Sequence, residues 1–143
     1  ASKEPDENAL AEIGKGAVVR EGTDITIIAW GAMIQKSLEA ASDCGASVEI
    51  IDIRYLYPLD FEIILESIKK TNRVIIVHED NLNSGFGAEI AARVADRCFE
   101  YLDAPVKRIA SKDCPIAYSS VLENEILVQT SWIRDMIVEI LEY

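Results

Sequence analysis

Arg73-Val74-Ile75-Ile76-Val77-His78-Glu79-Asp80-Asn81-Leu82-Asn83-Ser84-Gly85-Phe86-Gly87-Ala88-Glu89-Ile90-Ala91 reads as one strand, one loop and the start of one helix. Val74 to Val77 are β-branched without any polar alternation, the pattern of a strand covered on both faces. A polar loop carrying Gly85 and Gly87 follows, and then a long helix from about Gly87 to Leu102. Its apolar stripe is Ile90, Ala91, Val94, Ala95, Cys98, Phe99 and Leu102, which places the Cys98 thiol in a core rather than at a reactive surface. A strand buried on both faces that feeds a helix is the unit from which parallel sheets between helical layers are built.

The same unit recurs upstream. Ile25 to Trp30 forms a β-branched run ended by Gly31, and a helix follows from Ala32 with Ile34, Leu38 and Ala41 on one face and Gly45 at its close. Val48 to Ile53 is the next strand, followed by a turn at Pro58 and a helix with Phe61, Ile64, Leu65 and Ile68 at helical spacing and Asp60 as its expected N-cap. Val106 to Ala110 is a short strand, an irregular stretch around Pro115 follows, and the chain closes on an amphipathic helix bearing Ile133, Met136, Ile137, Ile140 and Leu141. Ala17-Val18-Val19-Arg20 and a turn containing Gly22 precede all of these. Residues 1–14 are polar and acidic and read as a linker or a disordered start, so the expectation is one domain over residues 15–143. The fold class expected is α/β, with a mainly parallel sheet between helical layers.

Composition narrows the function. With 25 acidic residues against 14 basic ones the formal charge is -11, which repels a polyanion and favours a basic protein partner; no nucleic-acid role is expected. No apolar run approaches the ~20 residues that cross a bilayer, so no membrane role is expected either. The three cysteines, Cys44, Cys98 and Cys114, lack metal-site or disulfide spacing. One histidine, His78, is present in the whole chain. It sits where an α/β enzyme would keep a general base, with Glu79 and Asp80 beside it, but no second histidine or paired cysteine completes a mechanism. The structural reading of His78 is therefore preferred, and no catalytic, cofactor-binding or metal residue is assigned.

Ligand crevices in such sheets lie beyond the carboxyl ends of the strands. Here those ends carry Gly31, Asp52 to Arg54, His78 to Gly87, and Ala110 to Asp113. Ser84-Gly85-Phe86-Gly87 could offer backbone N–H groups to a phosphate, although Ile90 replaces the third glycine of G-x-G-x-x-G and no Walker lysine follows. A free-standing small-ligand or nucleotide-binding domain is the alternative function this turn would support, and a small hydrolase or thiol enzyme built on His78 ranks last. Asp52 and Arg54 share one side of an extended chain and can pair, and Tyr55 and Tyr57 are interface candidates together with Arg54, His78, Gly85, Phe86 and Gly87.

Several of these segments, in this order and spacing, resemble one family: Val18-Val19-Arg20-Glu21-Gly22-Thr23-Asp24, Asp52-x-Arg54-x-Leu56-x-Pro58-Leu59-Asp60, His78-Glu79, Gly85-Phe86-Gly87-Ala88-Glu89-Ile90-Ala91 and Leu102-Asp103-Ala104-Pro105-Val106-x-Arg108. They resemble the C-terminal domain of the β subunit of the E1 component of pyruvate or branched-chain 2-oxo acid dehydrogenases and, more distantly, the last domain of transketolases. The resemblance implies a three-layer α/β/α domain with a five-stranded, mostly parallel sheet whose first strand is antiparallel. It implies that thiamine diphosphate and magnesium serve the whole enzyme but are held by the E1 α subunit and the preceding β-subunit domain, not by this one. It implies three partners: the E1 α subunit, a second E1 β subunit in an α2β2 assembly, and the subunit-binding domain of the E2 acyltransferase. For the E2 contact it points to Asp103 and to the carboxylate of Tyr143. The compartment implied is the cytoplasm of a prokaryote, or the mitochondrial matrix or plastid of a eukaryote. The chain departs from the family pattern at Ala117, Ser119, Ser120 and Val128, where prolines are frequent.

Overall fold

The computed structural model describes residues 12–143; of the linker expected over 1–14, residues 1–11 lie outside the described residues. The elements run β1 (Ala17–Arg20), β2 (Ile25–Ala29), α1 (Ala32–Ser42), β3 (Val48–Asp52), α2 (Phe61–Thr71), β4 (Val74–Asn81), α3 (Phe86–Arg97), β5 (Lys107–Ser111), α4 (Ser120–Ile126) and α5 (Thr130–Leu141). The five strands form one sheet in the order β1-β3-β2-β4-β5. β1 pairs antiparallel with β3 while every other pairing is parallel, as the resemblance implied.

Strand alternation assigns the two faces. Ile25, Ile27, Ala29, Val48, Ile50, Ile75 and Val77 point to one side, against Met33, Ala40 and Ala41 of α1 and Ile133, Ile137 and Ile140 of α5. Ile28, Ile51, Val74 and Ile76 point to the other, against Phe61, Ile64 and Ile68 of α2 and Ile90, Val94 and Cys98 of α3. Both faces are therefore covered, the reason the strands read as continuous apolar runs. Each fully buried Ile or Val contributes about 1.5–3 kcal/mol of transfer free energy.

Four sequence expectations change. The third helix ends at Arg97, not Leu102: Cys98 leaves helical geometry at φ −118°, and Phe99–Tyr101 forms a 3-10 turn. Cys98 stays buried, with its thiol pKa raised by that burial, but Phe99 turns outward to 79 % exposure. β4 continues past His78 to Asn81, because its polar end pairs with β5 through Asn81 and Ser111. Asp60 precedes α2 without capping it; its carboxylate accepts from the Gly16 N–H at 3.3 Å and lies 3.8 Å from Lys15 Nζ, tying the approach to β1 onto α2. The stretch after Pro115 holds α4, none of whose residues is buried.

A buried polar network stitches the amino ends of the strands to α2. Thr26 Oγ1 lies 2.6 Å from Ser67 Oγ and 2.7 Å from Thr71 Oγ1, and Ser67 donates to Glu49 Oε1. Glu49 is 1 % exposed, and its other oxygen pairs with Lys70 and accepts from the Gly22 N–H at 3.4 Å. Lys70 also reaches Glu21 at 3.0 Å, and these two carboxylates raise the lysine pKa while Lys70 lowers that of Glu21.

Candidate functional site

β3 and β4 flank β2, so the strand order reverses between β2 and β4, and a ligand crevice is expected beyond their carboxyl ends. That space is occupied by the chain's own rings. Trp30, the residue after β2, stacks on His78 of β4 with ring centres 5.4 Å apart and planes within 2°. Phe86, at the start of α3, meets Trp30 edge-on at 6.2 Å. His78 is fully buried, and neither ring nitrogen has a partner among the described residues. Burial lowers its pKa; Asp80 acts in the opposite direction, and Arg108 adds to the lowering.

Gly85 and Gly87 exist because of this imidazole. A Cβ on Gly87 would overlap His78 Cδ2 and Nε2, and one on Gly85 would lie 2.7 Å from Cε1 and overlap the Asn81 carbonyl. The glycines that sequence reading offered to a phosphate are accounted for by a ring packed into the first turn of α3. His78, Gly85, Phe86 and Gly87 thus form one cluster with Trp30, the member that sequence reading did not place there. Its only sequence signal was its position at the end of a buried strand.

Arg54, Tyr55 and Tyr57 lie in the turn between β3 and α2. Arg54 adopts φ 53°, its N–H donates to Asp52 Oδ1 at 3.0 Å, and its Nε stands 3.9 Å from Asp52 Oδ2. The expected Asp52–Arg54 pairing is present, held mainly through the backbone. Tyr57 is 91 % exposed, Tyr55 is half-buried and Leu56 is exposed, so this turn presents apolar and aromatic surface.

Asp103 stands at the β5 edge. Its backbone N–H donates to the Asn72 carbonyl at 2.8 Å, and Asn72, left-handed at φ 59°, donates from Nδ2 to the Tyr101 carbonyl at 2.7 Å. The Leu102–Pro105 segment is thereby clamped to the end of α2, leaving the Asp103 side chain in solvent. Beside it opens an apolar groove of about 420 Å³ lined by Ala95, Phe99, Leu102, Ala104, Pro105 and Val106 with Asp103 at its margin. Phe99 is the groove member that sequence reading assigned to the core. Tyr143 is exposed and adds to the field that raises Lys107, four residues after Asp103, although the Glu139 contact at 2.8 Å is the larger cause.

Residues 14–133 match the family model described as the transketolase C-terminal domain. The chain belongs to that family. It is 43 % identical over 133 residues to the mitochondrial pyruvate dehydrogenase E1 component subunit beta of Dictyostelium discoideum, covering 91 % of this chain and 37 % of that protein. It is 40 % identical to the 2-oxoisovalerate dehydrogenase subunit beta of Pseudomonas aeruginosa, covering 83 % of this chain and 34 % of that one. Among solved structures it superposes on a split-gene transketolase, an inactive beta4 tetramer, with TM-score 0.80 and 25 % identity over 99 % of this chain and 46 % of the other. The chain spans about a third of the length of the curated relatives it matches.

Among the described residues no three of His, Cys, Asp and Glu stand together as a metal-binding group, and the switch-point crevice is filled by Trp30, His78 and Phe86. No helix among the described residues is long and apolar enough to cross a membrane.

Proposed function

We propose that this chain is the C-terminal assembly domain of the β subunit of a thiamine diphosphate-dependent E1 enzyme, acting in oxidative decarboxylation of pyruvate or branched-chain 2-oxo acids through subunit contacts. In this reading it pairs with a second β subunit and with α subunits in an α2β2 assembly, and it docks the subunit-binding domain of the E2 acyltransferase through Asp103 and Tyr143. Thiamine diphosphate and magnesium belong to the other parts of that enzyme. The bacterial and mitochondrial relatives support a prokaryotic cytoplasm or a mitochondrial matrix, with a plastid as the third setting.

The observation that carries the docking reading is an exposed carboxylate, Asp103, at the margin of an apolar groove with the exposed Phe99 ring on its wall. A groove that buries an aromatic anchor beside a charge is the composition of an interface centre. The overall charge of -11 favours a basic partner by steering and by complementary potential. Among the alternatives, a phosphate ligand at the Gly85–Gly87 turn has the His78 ring as its competitor for space.

Asp103→Lys tests the docking. Its side chain is exposed and its structural contact runs through the backbone N–H, so thermal stability should stay within about 2 °C. Affinity for a basic E2 subunit-binding domain, measured by titration calorimetry at low and physiological salt, should fall about tenfold or more. An affinity equal to that of the wild type would remove Asp103 from the contact.

A further inference from the structure

We propose that the first turn of α3 is an acid-sensitive latch: it is closed while His78 is neutral and opens when that imidazole takes up a proton. The closed state has no place for an imidazolium. His78 is fully buried, and both ring nitrogens lack a partner among the described residues, so a second N–H would add a buried charge with no acceptor there. One ring face is covered by Trp30, and the Cδ2–Nε2–Cε1 edge lies against Gly85 and Gly87, where the free N–H groups at the positive end of the α3 dipole oppose a cation.

The charged groups around the ring do not reverse this. Asp80, exposed on the same strand, favours the proton, whereas Arg108 on β5 opposes it and is itself held by the Leu82 carbonyl at 2.6 Å. Glu79 points toward Gly31 at the end of β2, and Glu89, in the first turn of α3, is paired with Arg93 at 2.7 Å. Trp30 and Phe86 bring no charge. Swinging the first turn of α3 away from β4 would put the ring in water at the cost of the Gly85 and Gly87 contacts and the Phe86–Trp30 edge contact, since the rest of α3 is anchored by Ile90, Val94 and Cys98.

The sign follows from linkage. The closed state binds the proton less well than an open one in which the ring has the ordinary histidine pKa of about 6.5, so the latch is stable above that pH and weakens as pH falls below it. One proton raises the opening constant by at most about fivefold between pH 6.5 and 5.5.

Hydrogen exchange of the Gly85–Ile90 amides between pH 7.5 and 5, corrected for the intrinsic exchange rate, measures that constant on the 143-residue chain. The expected result is a rise in these amides, up to about fivefold between pH 6.5 and 5.5, with α5 amides unchanged, and a flat profile in His78→Gln. A flat wild-type profile, or the same rise in His78→Gln, would overturn the latch. Should His78→Gln not fold, the wild type still decides. His78 is the sole histidine, so its ring resonance needs no assignment, and its titration must shift below 6.5 together with the exchange. Titration at the ordinary value with unaltered exchange would also overturn it.

Discussion

Gly87→Ala is expected to destabilise the fold by about 2–3 kcal/mol, the cost of inserting a methyl group into a space already filled. The direction is informative because glycine-to-alanine inside a helix normally stabilises by about 1 kcal/mol. Here the new Cβ would overlap His78 Cδ2 and Nε2, and the ring cannot retreat, being stacked on Trp30 on one side and walled by Gly85 on another. Urea unfolding of Gly87→Ala, His78→Ala and the double variant separates the terms. Alanine at 87 should become neutral or stabilising once the imidazole is gone, and a Gly87→Ala variant as stable as the wild type would mean that the ring is free to move.

Glu49→Gln should cost about 2–3 kcal/mol, the penalty of leaving buried hydrogen-bonding groups mismatched. Glu49 is 1 % exposed and faces three donors: Ser67 Oγ, Lys70 Nζ and the Gly22 N–H. A glutamine can keep Lys70 and Gly22 on its carbonyl oxygen, but its amide nitrogen then stands where Ser67 donates, and the charge that pairs with Lys70 is gone. The Lys70 head is partly solvated, its side chain 40 % exposed, which holds the loss below that of a fully buried pair. Lys70→Met, by contrast, leaves the buried Glu49 carboxylate without its counter-charge and beside Glu21, so it should cost at least as much. A clearly smaller cost for Lys70→Met would locate the stabilisation in the hydrogen-bond network rather than in the ion pair.

Much of this architecture is legible in the sequence because both sheet faces are buried. Runs such as Ile25–Ala29 and Val74–Val77 admit few readings other than central strands, and the helical spacing of Phe61, Ile64 and Ile68 fixes the side of α2 that they bury. The losses occur where tertiary contacts override local pattern. Phe99 continues the α3 stripe in sequence, but the chain leaves the helix at Cys98 and aims the ring outward. Asp60 has the residue type and position of a cap, yet Gly16 and Lys15, more than forty residues earlier, claim its carboxylate. Glu49 looks like a solvent-facing residue and is buried because α2 supplies Ser67 and Lys70. Helix α4 buries nothing, so it leaves no periodic signature. For the site, the resemblance marked Asp103, but the groove beside it depends on the outward Phe99, and the role of Gly85 and Gly87 depends on a ring seven residues or more away in sequence.

The most direct test of an assembly role without chemistry is to place Asp103→Lys in a complete E1 carrying this domain and measure two rates. One is decarboxylation of the 2-oxo acid with an artificial electron acceptor, which needs E1 alone; the other is the overall reaction coupled through E2. The first should stay within about twofold while the second falls about tenfold or more when E2 is limiting. Loss of both rates together would contradict it by placing this domain in the chemistry, and preservation of both would contradict the docking site.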